Sequence, residues 1–221
     1  MAKVYYPATI EVNHGIATFI NVFTVEPANQ QVLLDLLRSQ TDSLMRKQPG
    51  FLNANFHRSF DGIKVVNYVQ WKDQQSSEVI HENSDIMTAF SQYQALNVKM
   101  DLRYYEVVSS FGQPTVIKPQ NGLKTLISLV HVQPNQQQQV LESLETKVYP
   151  MLTEQIGFIS MNLHRSLDGN RILNYSQWNS QPPHEILELL QQRETLMNIP
   201  GTTETHLYEV AFTADAHGLS T

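Results

Sequence analysis

"GFLNANFHRSFDGIKVVNYVQW", residues 50–71, decides the fold because the chain carries this stretch twice. Its second copy, "GFISMNLHRSLDGNRILNYSQW" at residues 157–178, lies 107 residues later and matches it at 12 of 22 positions. The same offset pairs Pro7 with Pro114 and Gly15 with Gly122, so the similarity extends beyond the quoted stretch. Self-similarity at one fixed offset indicates an internal duplication of about 100 residues.

Both copies predict the same order of elements, and the residues of the first copy illustrate it. Residues Ile16–Val25 are rich in β-branched and aromatic residues, which is typical of a strand, and Pro27 suits the first turn of a helix. The repeated stretch then predicts a hairpin with Asp61-Gly62 as a two-residue type I′ turn. A second helix near residues 76–90 and a last strand complete the order βαββαβ, which is ferredoxin-like. The second copy predicts the same turn at Asp168-Gly169 and a second helix near 183–197.

The fold class predicted from this order is α+β, with two ferredoxin-like repeats at residues 1–112 and 113–221. Helices on one side of each sheet leave its other face open, and two such sheets in one chain can cover each other. The prediction is therefore a single intramolecular α+β barrel, a pseudo-dimer within one chain.

The hairpin register sorts side chains onto two faces of the sheet. With a two-residue turn, Phe56 opposes Asn67 and Leu52 opposes Trp71, and Arg58 shares their face. This face is mostly apolar, so we expect it to lie beneath the helices. The second copy places Leu163, Arg165, Asn174 and Trp178 in the same way.

The opposite face of the hairpin is polar. It carries Asn55, His57, Tyr68 and Gln70, with matching residues in the second copy. We expect these side chains to meet the facing sheet and to hold the barrel together through hydrogen bonds between the sheets. Their predicted role is structural.

Asn67 and Asn174 are amides in an otherwise apolar layer. A buried amide without a hydrogen-bond partner costs roughly 1–3 kcal/mol, so each needs a partner. One interpretation ties the amide to a nearby backbone group or to Arg58. The other makes it a polar anchor at the floor of a cavity, with Trp71 or Trp178 as a flat apolar wall.

Composition excludes several classes of function. The net charge is -6 with only 15 Lys and Arg and no basic run, which argues against nucleic acid as a partner. No stretch of 18 apolar residues and no signal-like N-terminus is present, so we predict a cytoplasmic protein that does not enter a membrane. The chain has no cysteine, no glycine-rich nucleotide loop and no His, Asp and Glu cluster with metal-ligand spacing. We therefore predict neither metal nor cofactor.

Three features together resemble the antibiotic biosynthesis monooxygenase domain of the dimeric α+β barrel superfamily. They are the βαββαβ order, the Asp-Gly hairpin followed by N-Y-x-Q-W, and the helix sequence "HENSDIMTAF" at residues 81–90. The resemblance covers nearly the whole chain as two tandem copies. Members usually dimerise to form the barrel, which implies here a monomeric barrel or a homo-oligomer of it. Haem-degrading members carry a tryptophan and a histidine in the second helix, whereas residues 75–100 hold only His81, so haem is disfavoured.

The resemblance implies a set of site residues. Asn67, Trp71 and His81 match catalytic or pocket positions of the family's oxygenases, as do Asn174 and Trp178 in the second copy. His81 aligns there with either His184 or Glu188, depending on where the second copy's four-residue gap is placed. Some of those oxygenases also use a tyrosine and an arginine soon after the tryptophan, but here the first of each are Tyr93 and Arg103. The implied substrate-binding residues are Arg58, Arg165, Phe56 and Leu163.

The function implied is that of a cofactor-independent monooxygenase, which acts on a phenolic, quinol or polycyclic aromatic molecule. The substrate itself, once deprotonated, reduces dioxygen. His81 is the expected base, Asn67 is expected to bind the substrate oxygen, Trp71 to stack on the ring and Arg58 to stabilise the enolate. Two alternatives remain open. The chain is then either a non-catalytic binding or stress-response protein, or an enzyme whose second copy serves only to complete the barrel.

Overall fold

The computed structural model describes residues 8–12, 15–119, 122–192, 198 and 200–216. Its strands are β1 (Ala8–Ile10), β2 (Ala17–Thr24), β3 (Phe51–Ser59), β4 (Lys64–Trp71), β5 (Lys99–Gly112), β6 (Thr115–Ile117), β7 (Lys124–His131), β8 (Phe158–Ser166), β9 (Arg171–Trp178) and β10 (Thr202–Asp215). Its α-helices are α1 (Gln30–Ser43), α2 (Gln74–Glu78), α3 (Ser84–Ser91), α4 (Gln137–Ser143), α5 (Tyr149–Thr153) and α6 (His184–Gln191).

Eight strands close into one antiparallel barrel in the order β10-β3-β4-β2-β5-β8-β9-β7. The first repeat contributes β3-β4-β2-β5 and the second contributes β8-β9-β7-β10, each in the strand order of a ferredoxin-like sheet. Two seams join the repeats, β5 with β8 and β10 with β3. The predicted α+β barrel of two repeats within one chain is confirmed. We propose that the repeats meet at residues 112 and 113, between β5 and β6.

The inside of the barrel is held by two histidine–tyrosine hydrogen bonds between the repeats. His57 Nε2 lies 2.9 Å from Tyr175 Oη, and His164 Nε2 lies 3.1 Å from Tyr68 Oη. Each Nδ1 lies 3.3 Å from a backbone carbonyl oxygen, which only accepts hydrogen bonds. Nδ1 therefore carries the proton, and Nε2 accepts from the tyrosine hydroxyl. The predicted bonding between the sheets is confirmed for these two pairs.

One end of the barrel is covered by a two-stranded ribbon of β1 and β6. Gln70 Nε2 donates to the carbonyl oxygen of Thr9 at 2.8 Å, and Gln177 Nε2 donates to that of Val116 at 2.9 Å. The apolar residues of the ribbon belong to the same buried core as the interior tyrosines. These two glutamines thus bind the ribbon rather than the facing sheet, which corrects the sequence-based expectation for them.

The hairpin turn also differs from the prediction of a two-residue type I′ turn. Gly62 has a φ of 82°, but Asp61 is not left-handed, whereas a type I′ turn needs both. The loop is longer, with the Gly62 amide donating to the Ser59 carbonyl oxygen at 3.2 Å. The Ser59 hydroxyl donates to Asp61 Oδ1 at 2.6 Å and accepts from the Lys64 amide at 2.9 Å. Side-chain hydrogen bonds of Ser and Asp stabilise this longer loop.

The predicted pairing of Leu52 with Trp71 is wrong. A β-bulge between Phe51 and Asn53 pairs Phe51 with Trp71 instead. The extra residue of a bulge reverses the in-and-out alternation beyond it. Phe51 is therefore 3% exposed in the core, while Leu52 is 37% exposed.

The helices pack on the outside of the barrel, where each repeat has its own apolar core. A glutamine at the start of α1 ties that helix to the hairpin, because Gln30 Nε2 donates to the carbonyl oxygens of Ser59 and Lys64 at 3.0 and 2.9 Å. Gln137 at the start of α4 does the same in the second repeat. The glutamine-rich helix starts therefore position the helices over their sheets.

Acid is expected to destabilise the barrel through His57 and His164. Burial lowers the pKa of each imidazole from 6.5 to about 4. Between these values the unfolded chain binds more protons than the folded one, so the folded state is most stable above pH 6.5 and loses stability progressively as the pH falls from 6.5 to 4. At about 1.4 kcal/mol per pKa unit, lowering the pH from 7 to 5 removes roughly 2 kcal/mol per histidine.

Urea unfolding at pH 7 and pH 5 measures this loss. His57→Gln keeps a donor and an acceptor but does not titrate, so we expect its pH dependence to fall by about half. His184 is exposed, and His184→Gln is the matched control, expected to retain the full dependence. An unchanged dependence in His57→Gln would contradict the assignment.

Candidate active site

A cavity lies between the outer face of the first sheet and its helices. It spans about 550 Å³ when the open solvent at its mouth is counted, and about 50 Å³ of this space admits the centre of a water-sized sphere. The walls are mainly apolar, as expected of a small-molecule site. The lining residues are Phe19, Asn21, Phe23, Leu37, Gln40, Thr41, Met45, Phe51, Ala54, Phe56, Asn67, Val69, Ile80, Phe90, Tyr93, Met100 and Leu102.

Alternate residues of two strands form the floor of the cavity. Alternate residues of a strand share a face, so β2 presents Phe19, Asn21 and Phe23 beneath the helices, and β4 presents Asn67 and Val69. Asn21 and Asn67 are direct partners across the β2–β4 pairing. The floor therefore carries two neighbouring amides among apolar side chains.

These two amides are incompletely hydrogen-bonded. The Oδ1 atoms of Asn21 and Asn67 are both buried, and neither has a hydrogen-bond partner among the described residues. An unpaired buried acceptor costs about 1–3 kcal/mol. Asn67 thus lies at a cavity floor, and its oxygen is tied neither to Arg58 nor to a backbone group of the described chain. Both oxygens are therefore unsatisfied acceptors at the floor, and neighbouring atoms cover each of them.

A short chain of hydrogen bonds fixes one wall of the cavity. The Tyr93 hydroxyl donates to Gln40 Oε1, and Gln40 Nε2 donates to the Ala89 carbonyl oxygen at 2.9 Å. Burial raises the pKa of Tyr93, so its phenol stays protonated at neutral pH. The Tyr93 ring also meets Phe23 edge-on, with centroids 5.7 Å apart. These contacts hold α3 and the turn after it against α1.

Trp71 lies behind the cavity rather than on its surface. It is fully buried, and its ring meets Phe51 edge-on at 5.4 Å, so Phe51 forms the wall expected of the indole. Trp71 Nε1 has no acceptor within the described part of the chain, whereas Trp178 Nε1 donates to Ser176 Oγ at 3.0 Å. The difference follows from Val69, which occupies the position of Ser176 in the first repeat.

Four other sequence-predicted site residues lie outside the cavity lining. His81 and His184 have exposed side chains, although His81 follows Ile80, which lines the cavity. Arg58 pairs with Glu209 at 2.6 Å on the outside of one seam, and Arg165 pairs with Glu106 at 2.7 Å on the other. The structure does not bring these residues together with Asn67. Their proposed chemical roles stay predictions.

The second repeat carries different side chains at several of the corresponding positions. Met161, which is 1% exposed, stands where the first repeat has Ala54, and Val148 stands for Thr41. Leu163 and Trp178 belong to this packed core. Asn174 is 3% exposed, and neither atom of its amide group has a hydrogen-bond partner among the residues described. Of the helix predicted at 183–197, residues 184–191 form α6, and residues 193–197 lie outside the described residues.

Sequence reasoning missed four polar lining residues, Asn21, Gln40, Thr41 and Tyr93. Asn21 had a signal, since it shares the strand face of Phe19 and Phe23. Gln40 also had one, because it lies three residues after Leu37 on the buried side of α1. Tyr93 had none, since its place beside Gln40 depends on how α3 packs on α1.

Two features are absent from the described part of the chain. Within it, no group of three or more His, Asp and Glu side chains is arranged to hold a metal ion. None of the helices described is both long and apolar enough to span a membrane.

Comparison with known proteins follows the same division into repeats. The family model for antibiotic biosynthesis monooxygenases matches residues 16–93 and 125–187. Tetracenomycin-F1 monooxygenase of Streptomyces glaucescens is 36% identical over 105 residues, which cover 48% of this chain and 93% of that protein. The crystal structure of an anthrone oxidase-like protein matches with a TM-score of 0.79 at 20% identity, over 96% of this chain and 98% of that one. The first relative has the length of one repeat, and the second shares the fold of both.

Met161→Ala is expected to lower the free energy of unfolding by about 2–5 kcal/mol, because it opens a cavity in a packed core. Urea unfolding measures the change. Met151→Ala is the matched control at a residue that is 42% exposed, and we expect it to cost less than about 1 kcal/mol. A similar small cost for both substitutions would show that the second repeat is loosely packed around Met161.

Proposed function

Because this chain belongs to the antibiotic biosynthesis monooxygenase family, we propose that it is a cofactor-independent monooxygenase of a phenolic, quinol or polycyclic aromatic molecule. The observation that carries the proposal is the first-repeat cavity, which has two unpaired amide oxygens under apolar walls. One relative is named for tetracenomycin F1, and one structural neighbour is described as anthrone oxidase-like, which supports an aromatic substrate. The reaction would take place in this cavity.

The amides suit a substrate that carries hydroxyl groups. A phenol donates a hydrogen bond to an unpaired Oδ1 of Asn21 or Asn67, and the amide nitrogen of the same side chain can donate to the phenolate formed later. Aromatic rings of the walls, such as Phe19, Phe51 and Phe90, would contact the substrate ring. Binding energy then comes from ring packing, and orientation comes from the two amides.

The substrate supplies the electrons in the proposed reaction. Its deprotonated form gives electrons to dioxygen; one oxygen atom enters the substrate, and the other leaves as water with two hydrogens from the oxidised carbon. A CH₂ group thus becomes a carbonyl, and the atoms and electrons balance. The protein would contribute positioning, hydrogen bonds to the developing oxyanion and exclusion of bulk water.

The base that removes the substrate proton would lie at the mouth of the cavity. Among the described lining residues Tyr93 is the sole titratable one, and it stays protonated at neutral pH. We retain His81 as the proposed base, because it directly follows Ile80 of the lining and because imidazole suits proton transfer near neutrality. Its exposed side chain would act through water at the mouth.

Asn67→Ala is expected to lower kcat/KM by roughly 10- to 100-fold, the size typical of losing one hydrogen bond to a developing oxyanion. Oxygen uptake with a panel of hydroquinones and anthrones measures it. Absence of uptake by the parent protein with the whole panel would contradict the monooxygenase proposal. A tightly bound aromatic molecule in the natively purified protein, without turnover, would instead support a binding protein.

Ala54→Met is expected to abolish ligand binding with little loss of stability, because it places the side chain of the packed second repeat in the first-repeat cavity. Titration calorimetry with a substrate from the active panel should give one site per chain for the parent and none for the variant. Two sites per chain, with one retained in Ala54→Met, would show that the second repeat also binds.

A further inference from the structure

The two seams of the barrel carry matching ionic clusters at their hairpin ends. Beside the β5–β8 seam, Arg103 pairs with Asp168 of the β8–β9 loop and with Asp101 at 3.0 Å. The corresponding residues beside the β10–β3 seam are His206, Asp61 and Glu204. His206 Nδ1 lies 2.6 Å from Asp61 Oδ2, and His206 Nε2 lies 3.1 Å from Glu204 Oε1. We call these sets the Arg103 cluster and the His206 cluster.

Other charged and titratable groups face the His206 cluster from the neighbouring strands. Lys64 of β4 pairs with Glu204 at 2.6 Å and donates to Thr24 Oγ1 at 2.8 Å. From β7, Lys124 borders the same cleft as His206, and His131 lies within electrostatic range of Glu204. On β10 itself the Tyr208 ring is 6.2 Å from the imidazole. Lys64 thus offsets the charge of Glu204, and His206 is the cation beside Asp61, which also accepts hydrogen bonds from the Ser59 hydroxyl and the Ile63 amide.

The geometry of the His206 cluster requires the charged imidazole. Both partners are carboxylates, which accept hydrogen bonds only, so both ring nitrogens must carry a proton. A neutral ring would turn one nitrogen lone pair toward a carboxylate oxygen. Arg103 keeps its charge over the whole physiological range.

Loss of the His206 proton is expected to weaken the cluster as the pH rises. Burial alone would lower the pKa of His206, but its hydrogen bonds to Glu204 and Asp61 outweigh burial and raise it above 6.5. The stabilisation is therefore present below pH 6.5 and is lost as the pH rises through the raised pKa. The interior histidines His57 and His164 have the opposite effect, because they lower the stability of the fold as the pH falls.

We propose that the His206 cluster makes the β10–β3 seam a pH-sensitive switch, which loosens in alkaline solution while the Arg103 cluster keeps the β5–β8 seam closed.

Loosening at this seam would reach the candidate active site. Phe56, which lines the cavity, stacks on Phe212 across the seam with ring centroids 4.2 Å apart. Arg38 of α1 lies over the same Phe212 ring at 4.2 Å. The wall at Phe56 therefore depends on the β10–β3 seam. Any effect of pH on turnover through this route rests on the proposed function, whereas the behaviour of the seam does not.

Native-state hydrogen exchange tests the proposal between pH 6 and pH 9. The measured quantity is the protection of β3–β4 hairpin amides divided by that of β8–β9 hairpin amides in the same molecule. This ratio cancels the pH dependence of intrinsic exchange and the effect of the two interior histidines, which are equivalent in the repeats. We expect the ratio to fall about fivefold in the parent between pH 6 and pH 9. This is the effect expected when one partly exposed charged hydrogen bond is weakened.

Exchanging the two residues gives matched variants. His206→Arg is expected to keep the ratio constant from pH 6 to 9, and His206→Arg combined with Arg103→His to reverse the trend by exposing the β8–β9 hairpin. His206→Gln can donate to one carboxylate only, so at pH 6 we expect it to show the ratio that the parent shows at pH 9. A constant ratio in the parent, or a His206→Gln variant equal to the parent at pH 6, would overturn the proposal, even if oxygen uptake were observed.

Discussion

The barrel depends on burying one polar and aromatic face from each repeat against the other. His57 and Tyr68 of the first repeat find their hydrogen-bond partners in Tyr175 and His164 of the second, so neither sheet can satisfy its inner face alone. Unpaired, each of these buried groups would cost roughly 1–3 kcal/mol. Joining both repeats in one chain removes the need for a second molecule. Because the interior is filled by these side chains and the ribbon of β1 and β6, ligand space is left on the outer side of the sheet, beneath the helices.

Duplication allows the two outer layers to differ while the interior stays matched. The interior histidines and tyrosines occur in both repeats with the same hydrogen-bonding pattern. In the outer layers, Ala54 of the first repeat borders a cavity, and Met161 of the second is packed in a core. The seams differ too, since one is closed by an arginine and the other by a histidine. The interior has to match because each repeat is the other's partner, whereas each outer layer packs only on its own helices.

The candidate site shows which kinds of prediction the sequence supported. Asn67 was expected in the helix-facing layer and lies at the floor of the cavity there. Trp71 shares its layer but is covered by Phe51, because the bulge at β3 moved Phe51 into the position expected for Leu52. Arg58 was assigned to the correct face, yet it reaches the barrel surface and pairs with Glu209 across the seam. The alternation of residues along a strand predicts the face of the sheet on which a side chain lies. How deeply that side chain is buried depends on the neighbouring strand.

The sequence by itself determined the duplication, the order of elements and the face on which most hairpin side chains lie. These follow from local rules, since a repeat offset and a period of two residues are visible along the chain. Only the tertiary structure decided that a cavity exists in the first repeat, that Gln40 and Tyr93 form its wall, and that His206 lies between two carboxylates. The physical reason is that space and ion pairing depend on the volumes and charges of segments far apart in sequence, whereas alternation depends on neighbours along the chain.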